Sequence, residues 1–577
     1  MKSRFIFAAC VCCMLLAVKK ISAAEPAANS DRIPAFALGR LTLAHIGPFL
    51  DQSAAFANQL SSNSGPIAKM ALANVLFKVP FDQSIQFDGP AIIYLLEPLN
   101  PGPNQETASI LPVADAAALK KNLAGVYGEP EEKNGASLFT IPQPLPQPDK
   151  ILFLKIVGKQ ALLAPSEEAL KELERALQTA PGVLTEGAEL ELSVAAFKRL
   201  YGKQAEASMQ MGALMAAENV ESLKDLNEQI AALQKSLWDI DTLNIRVEFD
   251  KDSKQAAVEL ALVPRAGTGL AALFAKPAPR ANGKLIPLLP ANAPILIAAT
   301  IDGNAGYEFL SKNFKLGREA QMTRTLADFL DGESSIGIHV APFSFLAATS
   351  NPQSNKNDKG AELYQHVLDL IVRMGGETKS LFSVASSGKN IPGTFFDMEL
   401  KKPKAREAGM DNLAGTLPLL AQADVKEGLL FSLGDDPESP VRSGLERALK
   451  PAPLPAEIAA IFNSPPPGTM ALVSLRAVEL TGRFVSSNLR GQITYEQLTG
   501  GLEDLPVSAA LFARDGKAGL RATLPALTAG SFMRMYFRLK RANIDPLQIL
   551  SELLAANAPS APAPKTGNVA APPPPVP

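Results

Sequence analysis

The sequence predicts an α+β protein of two tandem homologous units with curved antiparallel sheets packed by helices. Three observations lead there. In the stretch from 243 to 250, Leu243, Ile245, Val247 and Phe249 alternate with Asn244, Arg246, Glu248 and Asp250, and this period of two marks a strand with one face in the core and one in water. Half-wet strands belong to antiparallel sheets, because parallel sheets are covered on both faces. Between the strand patterns lie helical ones, the longest over 205–239, where Leu223, Leu226, Ile230, Leu233 and Leu237 form an apolar seam. Finally, a set of landmarks returns in the same order about 245 to 280 residues later.

The elements follow in order. An apolar strand around Leu41–Ala44 leads to helices over 48–60 and 66–78, the first opened by Gly47-Pro48. Phe87-Asp88-Gly89-Pro90 is a turn before a buried strand, Ala91 to Leu96. Strands over 109–112, 137–141 and 151–157 accompany a helix over 115–126, and Gly158-Lys159 turns the chain into Ala161–Ala164. Ser166 then caps a helix whose first turn carries Glu167 and Glu168, where the helix dipole favours acids. Residues 190–197 open a second half, which ends in the hairpin 243–264 and a helix start.

The repeat is visible in particular residues. Leu173-Glu174-Arg175-Ala176-Leu177 recurs letter for letter at 445–449, Phe87-Asp88-Gly89 matches Leu330-Asp331-Gly332, and Leu162-Leu163 matches Leu429-Leu430. A second hairpin, 507–525, turns on Asp515-Gly516, a strong two-residue turn signal. The expected units are 33–280, with halves of about 33–180 and 188–280, and 289–545, with halves of about 289–450 and 468–545. Pro-rich joints at 277–290 and 451–468 are expected to link them, and the Pro/Ala-rich tail 555–577 to remain disordered.

The 577 residues exceed one ordinary core, and 47% apolar with 20% charged residues is a globular composition. Met1-Lys2-Ser3-Arg4, the apolar run Phe5 to Val18 and Ser22-Ala23-Ala24 have the order of a secretory signal peptide, with cleavage expected after Ala24. An extracytoplasmic location, periplasmic or secreted, follows from it. Cys10, Cys12 and Cys13 all lie in that segment, so the mature chain would hold no disulfide and no thiolate site. Removing its four basic residues leaves 52 basic against 58 acidic ones, a net charge of −6 that argues against a general nucleic-acid binder.

No catalytic, cofactor or metal residues are read from the chain. Gly267-Thr268-Gly269 has dinucleotide-loop spacing but follows a hairpin strand and lacks a downstream acid before Asp302. Ser386 and Lys389 have the spacing of a lysine-activated serine, but Gly388 and Pro392 place them in a turn. Glu362, His366 and Asp369 share a helix face opposite Leu363, Val367 and Leu370, as a solvated polar face does. One candidate for an anionic partner stands out after Pro525: Arg534, Arg538 and Arg541 lie on one side of a helix, beside Phe532, Met535, Tyr536 and Leu539.

The signal peptide, the Asp88-Gly89-Pro90 strand entry, the Leu162-Leu163 hairpin with its Ser166-Glu167-Glu168 helix and the charged hairpin ending in Pro264 together resemble large secreted proteins of unknown function in planctomycete-like bacteria. That resemblance covers about 33–545 and implies no catalytic residues. The expected function is an exported non-catalytic binding or structural protein. A carrier holding lipid or another apolar ligand between sheet and helix is the alternative, and an extracytoplasmic hydrolase the second. Partners would be a cell-envelope component, lipid or polysaccharide, with no transmembrane helix after signal cleavage.

Overall fold

The computed structural model describes residues 33–34, 36–77, 83–97, 106–141, 150–178, 186–216, 238–274, 283–302, 332–340, 343–350, 384–386, 398–400, 419–425, 428–434, 438–463, 465–489 and 492–544, with a few isolated positions between them. The signal peptide, the seam 217–237, the Glu362–His366–Asp369 cluster, Lys389 and the tail 555–577 lie outside the described residues.

Strand β1 (Ala37–Leu43) leads into helices α1 (Ile46–Leu60) and α2 (Gly65–Phe77). Then come β2 (Ala91–Leu96), β3 (Thr107–Pro112), α3 (Ala116–Tyr127), β4 (Glu131–Lys133), β5 (Ala136–Ile141), β6 (Lys150–Val157), β7 (Gln160–Ala164) and α4 (Glu167–Gln178). Next are β8 (Ala188–Ser193), α5 (Val194–Ala216), the hairpin β9 (Ile240–Phe249) and β10 (Gln255–Pro264), and the short α6 (Gly269–Phe274). The chain continues through β11 (Ile295–Ile301), β12 (Gly332–Val340), β13 (Phe343–Thr349), β14 (Val384–Ser386), β15 (Met398–Leu400), β16 (Leu419–Val425), β17 (Gly428–Gly434), α7 (Glu438–Leu449) and α8 (Ala456–Asn463). It closes with β18 (Thr469–Leu475), α9 (Ala477–Asn488), α10 (Tyr495–Thr499), the hairpin β19 (Val507–Arg514) and β20 (Lys517–Pro525), and α11 (Ala526–Arg541).

Among the described residues twenty strands form one sheet. Every pairing in it is antiparallel, and the spatial order is β4-β5-β6-β7-β3-β2-β1-β8-β9-β10, then β20-β19-β18-β11-β12-β13-β17-β16-β15-β14. Counted outward from the central β10–β20 ladder, both sides run through the same sequence of strands, ten to a side. Within that ladder Leu260 lies opposite Leu520.

Helices cover both faces. On one face Leu43 and Ile93 of the sheet pack with Ile46 and Leu50 of α1, Phe77 of α2 and Leu119 of α3. On the other, Ile92, Ile110 and Leu162 meet Leu170 and Leu173 of α4. The same face of the second ten strands packs Leu296, Leu346 and Leu430 against Val441 of α7 and Ile458 and Phe462 of α8. The capping read at Ser166 is present, with the Ala169 amide donating to its Oγ at 3.1 Å and Glu167 and Glu168 in the first turn of α4. Among the described residues no helix is long and apolar enough to cross a membrane.

Two expectations change. The Pro-rich joints are not free linkers: Leu285, Ile286, Leu288 and Leu289 are buried beside the second core, and 451–468 contains α8. Apolar residues one helical turn apart, Ile458 and Phe462, give that segment enough to bury despite its prolines. Nor does the alternation in β9 separate core from water: Thr242 and Asn244 on its polar face are buried, whereas Leu260 on the apolar side of β10 remains 41% exposed and Leu520 38%. With helices on both faces, the covering elements decide what is wet, and alternation alone does not. Helix α5 also begins earlier than the seam suggested, directly after β8.

Candidate functional site

The α4 face of the central strands carries a row of side chains that register places side by side. Thr42 on β1 is opposite Glu189 on β8, which is opposite Arg246 on β9, then Glu259 on β10 and Arg521 on β20. Beyond β20 the row turns apolar, continuing as Ala510 on β19, Leu472 on β18 and Ala298 on β11. The change from charge to hydrocarbon falls one strand past the middle of the sheet.

The charged part is internally paired. Glu248 accepts from Arg521 Nη2 at 2.8 Å and pairs with Arg246 at 2.5 Å, and Glu259 accepts from Arg514 at 2.7 Å while Arg521 Nη1 stands 3.4 Å from it. Deeper in the first half, Arg40 donates to Glu191 Oε2 through Nε at 2.9 Å and Nη2 at 2.5 Å, and both side chains are at most 5% exposed. Arg40 also donates to the Tyr94 hydroxyl. Around this pair the side-chain oxygens of Thr42, Thr242 and Asn244 are buried without a protein partner, so ordered water is the expected fourth component of the array.

Burial raises the Tyr94 hydroxyl above its ordinary pKa of 10.0, and the Arg40 cation only partly offsets this. The folded protein therefore keeps that proton to higher pH than the unfolded chain does. The resulting stability is complete below pH 10.0 and is lost as pH rises through the folded value. Tyr94→Phe is expected to flatten the fall in stability above pH 10.0 relative to the wild type, measured by urea midpoints at stepped pH.

A cavity of about 270 Å³ opens where the row changes character. Leu472, Ser508, Ala510, Arg521 and Thr523 form its floor, and Glu457, Ala460 and Ile461 of α8 form the facing wall. Pro466, Leu505, Pro506, Pro525 and Gln255 make the rim. The arrangement can hold a small molecule with an apolar body and one polar end, the body against Ile461 and Leu472, the end near Arg521, Ser508 and Thr523. That volume lies just below the usual range of ligand pockets, about 300–1,000 Å³, so only a small ligand fits. Among the described residues no group of three or more His, Cys, Asp or Glu side chains could hold a metal ion.

No family model, curated protein or solved structure matches this chain.

The three arginines singled out from the sequence do lie on one helix, α11, but they are differently engaged. Arg538 turns inward and donates to the carbonyls of Leu498 at 2.9 Å and Gly500 at 3.0 Å, closing the end of α10. Arg534 and Arg541 are exposed, with Arg534 touching Ser531 Oγ at 3.2 Å. Gly267 sits in the turn between β10 and α6, and both neighbours of β10 among the described residues, β9 and β20, run antiparallel to it. What sequence reasoning missed is Arg521 and the α8 wall. The only available signal was the pair Ile458 and Phe462 inside a segment otherwise read as a joint.

Proposed function

We propose that this is an exported, non-catalytic binding protein made of two tandem copies of one ten-strand unit, holding a small apolar ligand with a polar end between α8 and strands β18–β20. The observation that carries the binding reading is the cavity, placed between a helix and the sheet at the step from the charged ladder to the apolar floor. Supporting the tandem reading are the equal strand orders on either side of β10 and β20. Gly187 and Gly468 add to it: both have positive φ at the entry to equivalent strands, and a Cβ on either would strike a neighbouring carbonyl, of Val247 and Ala513 respectively. Export rests on the order of charged, apolar and small residues at 1–24; amino-terminal sequencing of the protein recovered outside the cytoplasm should begin at Glu25.

Octanoate and octanol are suitable probes, since each has an eight-carbon body and one polar end. Isothermal titration of the purified protein is expected to give saturable binding of at least one of them, and Ile461→Trp, which fills the apolar wall, is expected to remove it. Absence of binding by both probes, or binding unchanged in Ile461→Trp, would count against the site. Ile461 is only partly buried, so the variant should fold, and a circular dichroism spectrum matching the wild type checks this.

A further inference from the structure

A second surface, remote in kind from the cavity, lies on α11. Its buried stripe is Thr528, Ser531, Met535 and Leu539, of which Met535 and Leu539 pack with Val478 and Val485 of α9 and Leu498 of α10. At 3.6 residues per turn, the opposite side presents Tyr536, Lys540, Met533, Phe537, Arg541 and Arg534 in that angular order, over about 160°. All six are exposed, Phe537 the most of the three apolar or aromatic ones, at 52%. The helix contains no acidic residue. Near its start the same side of the helix is covered: Gly530, at an angle between Phe537 and Arg541, packs on the end of α1, where a Cβ would stand 3.3 Å from the Leu60 carbonyl oxygen, and the exposed face begins at Met533.

This composition separates two kinds of anionic partner. A soluble polyanion would reward the cations but gain little from an exposed phenylalanine and methionine. A bilayer surface rewards both: its anionic headgroups attract the Lys and Arg side chains, and its interfacial zone takes up aromatic and thioether groups. The Tyr536 and Phe537 rings meet edge to face with centroids 5.7 Å apart, and Lys540 Nζ lies 5.8 Å from the Tyr536 ring centre, so charge and aromatic surface are interleaved instead of segregated. We infer that the outward face of α11 docks this protein onto an anionic membrane surface, with Met533 and Phe537 inserted at headgroup depth and Arg534 and Arg541 on lipid phosphates. Arg538 has no part in this, because its guanidinium closes α10.

Co-sedimentation of the full chain with vesicles tests the proposal. The wild type should bind phosphatidylglycerol–phosphatidylcholine vesicles, bind phosphatidylcholine vesicles at least about tenfold less, and weaken with added salt. Met533→Ser/Phe537→Ser, which keeps every charge, and Arg534→Glu/Arg541→Glu, which keeps every apolar group, should each lower binding about tenfold or more. These side chains face outward, so unchanged circular dichroism spectra are expected of both variants. Failure of the wild type to bind anionic vesicles would overturn the inference, as would undiminished binding by Met533→Ser/Phe537→Ser. Retention on dextran sulfate without vesicle binding would assign the face to a polysaccharide, and would equally overturn it.

Discussion

Glu191→Ala is expected to lower the unfolding free energy by about 3–5 kcal/mol, the cost of leaving one member of a buried ion pair without its partner. Arg40 is almost completely enclosed, and both of its bonds to Glu191 run to a single carboxylate oxygen. The nearby Tyr94 hydroxyl cannot neutralise a cation. The charge alone should account for the loss, because Arg40→Met/Glu191→Leu, which removes both charges and keeps apolar bulk, is expected to recover most of it. Urea unfolding of the wild type, the single variant and the double variant measures this. A double variant as unstable as Glu191→Ala would show that packing volume, and not the unpaired cation, is what matters. The second ten strands give the reason to expect recovery: there Leu296, Ala298, Leu472 and Ala510 line the same face with hydrocarbon.

Gly519→Val is expected to cost about 3 kcal/mol or more and to loosen the join between the two sets of ten strands. Gly519 lies on β20 opposite Ala261 of β10. A Cβ there would overlap the Leu260 carbonyl and stand 2.9 Å from Ala261 Cα and 2.8 Å from Phe512 Cζ. Two of these obstacles are backbone on the partner strand, which cannot rotate aside as a side chain could. The β10–β20 ladder itself must therefore yield. Calorimetry should show a lower transition that splits into two as the sides lose their coupling. A variant that melts with the wild type in one transition would mean that the ladder accommodates valine, and the seam would not be the critical contact.

The strands and helices were legible because they are local events. The hairpins at β9–β10 and β19–β20, the α4 cap at Ser166 and the α11 helix after Pro525 each follow from spacing, turn residues and caps within a few positions. Leu162-Leu163 lies on β7 and Leu429-Leu430 on β17, and the recurring pentapeptide lies on α4 and α7. Even there the environment was not legible. Arg175 sits exposed beside Glu172, whereas Arg447, in the identical pentapeptide, reaches the Leu288 carbonyl at 3.1 Å and is held below its usual pKa by burial.

The candidate site was not legible, for a related reason. Its floor joins residues from β18, β19 and β20 through register, and its wall comes from a helix in a proline-rich segment whose composition suggested a joint. Of the three arginines on α11, sequence spacing placed all on one side; only the position of α10 separated Arg538 from the other two.

By itself the sequence determined an α+β chain rich in antiparallel hairpins, because alternation, caps and turns are set by neighbours within a helical turn or a hairpin loop. The tertiary structure alone decided that β10 and β20 meet, that Leu260 faces Leu520, that Thr242 and Asn244 on the polar side of β9 are buried, and that α8 closes a cavity beside Arg521. Those outcomes depend on which strand lies next to which and which helix covers them, contacts between residues up to hundreds of positions apart that no local pattern encodes.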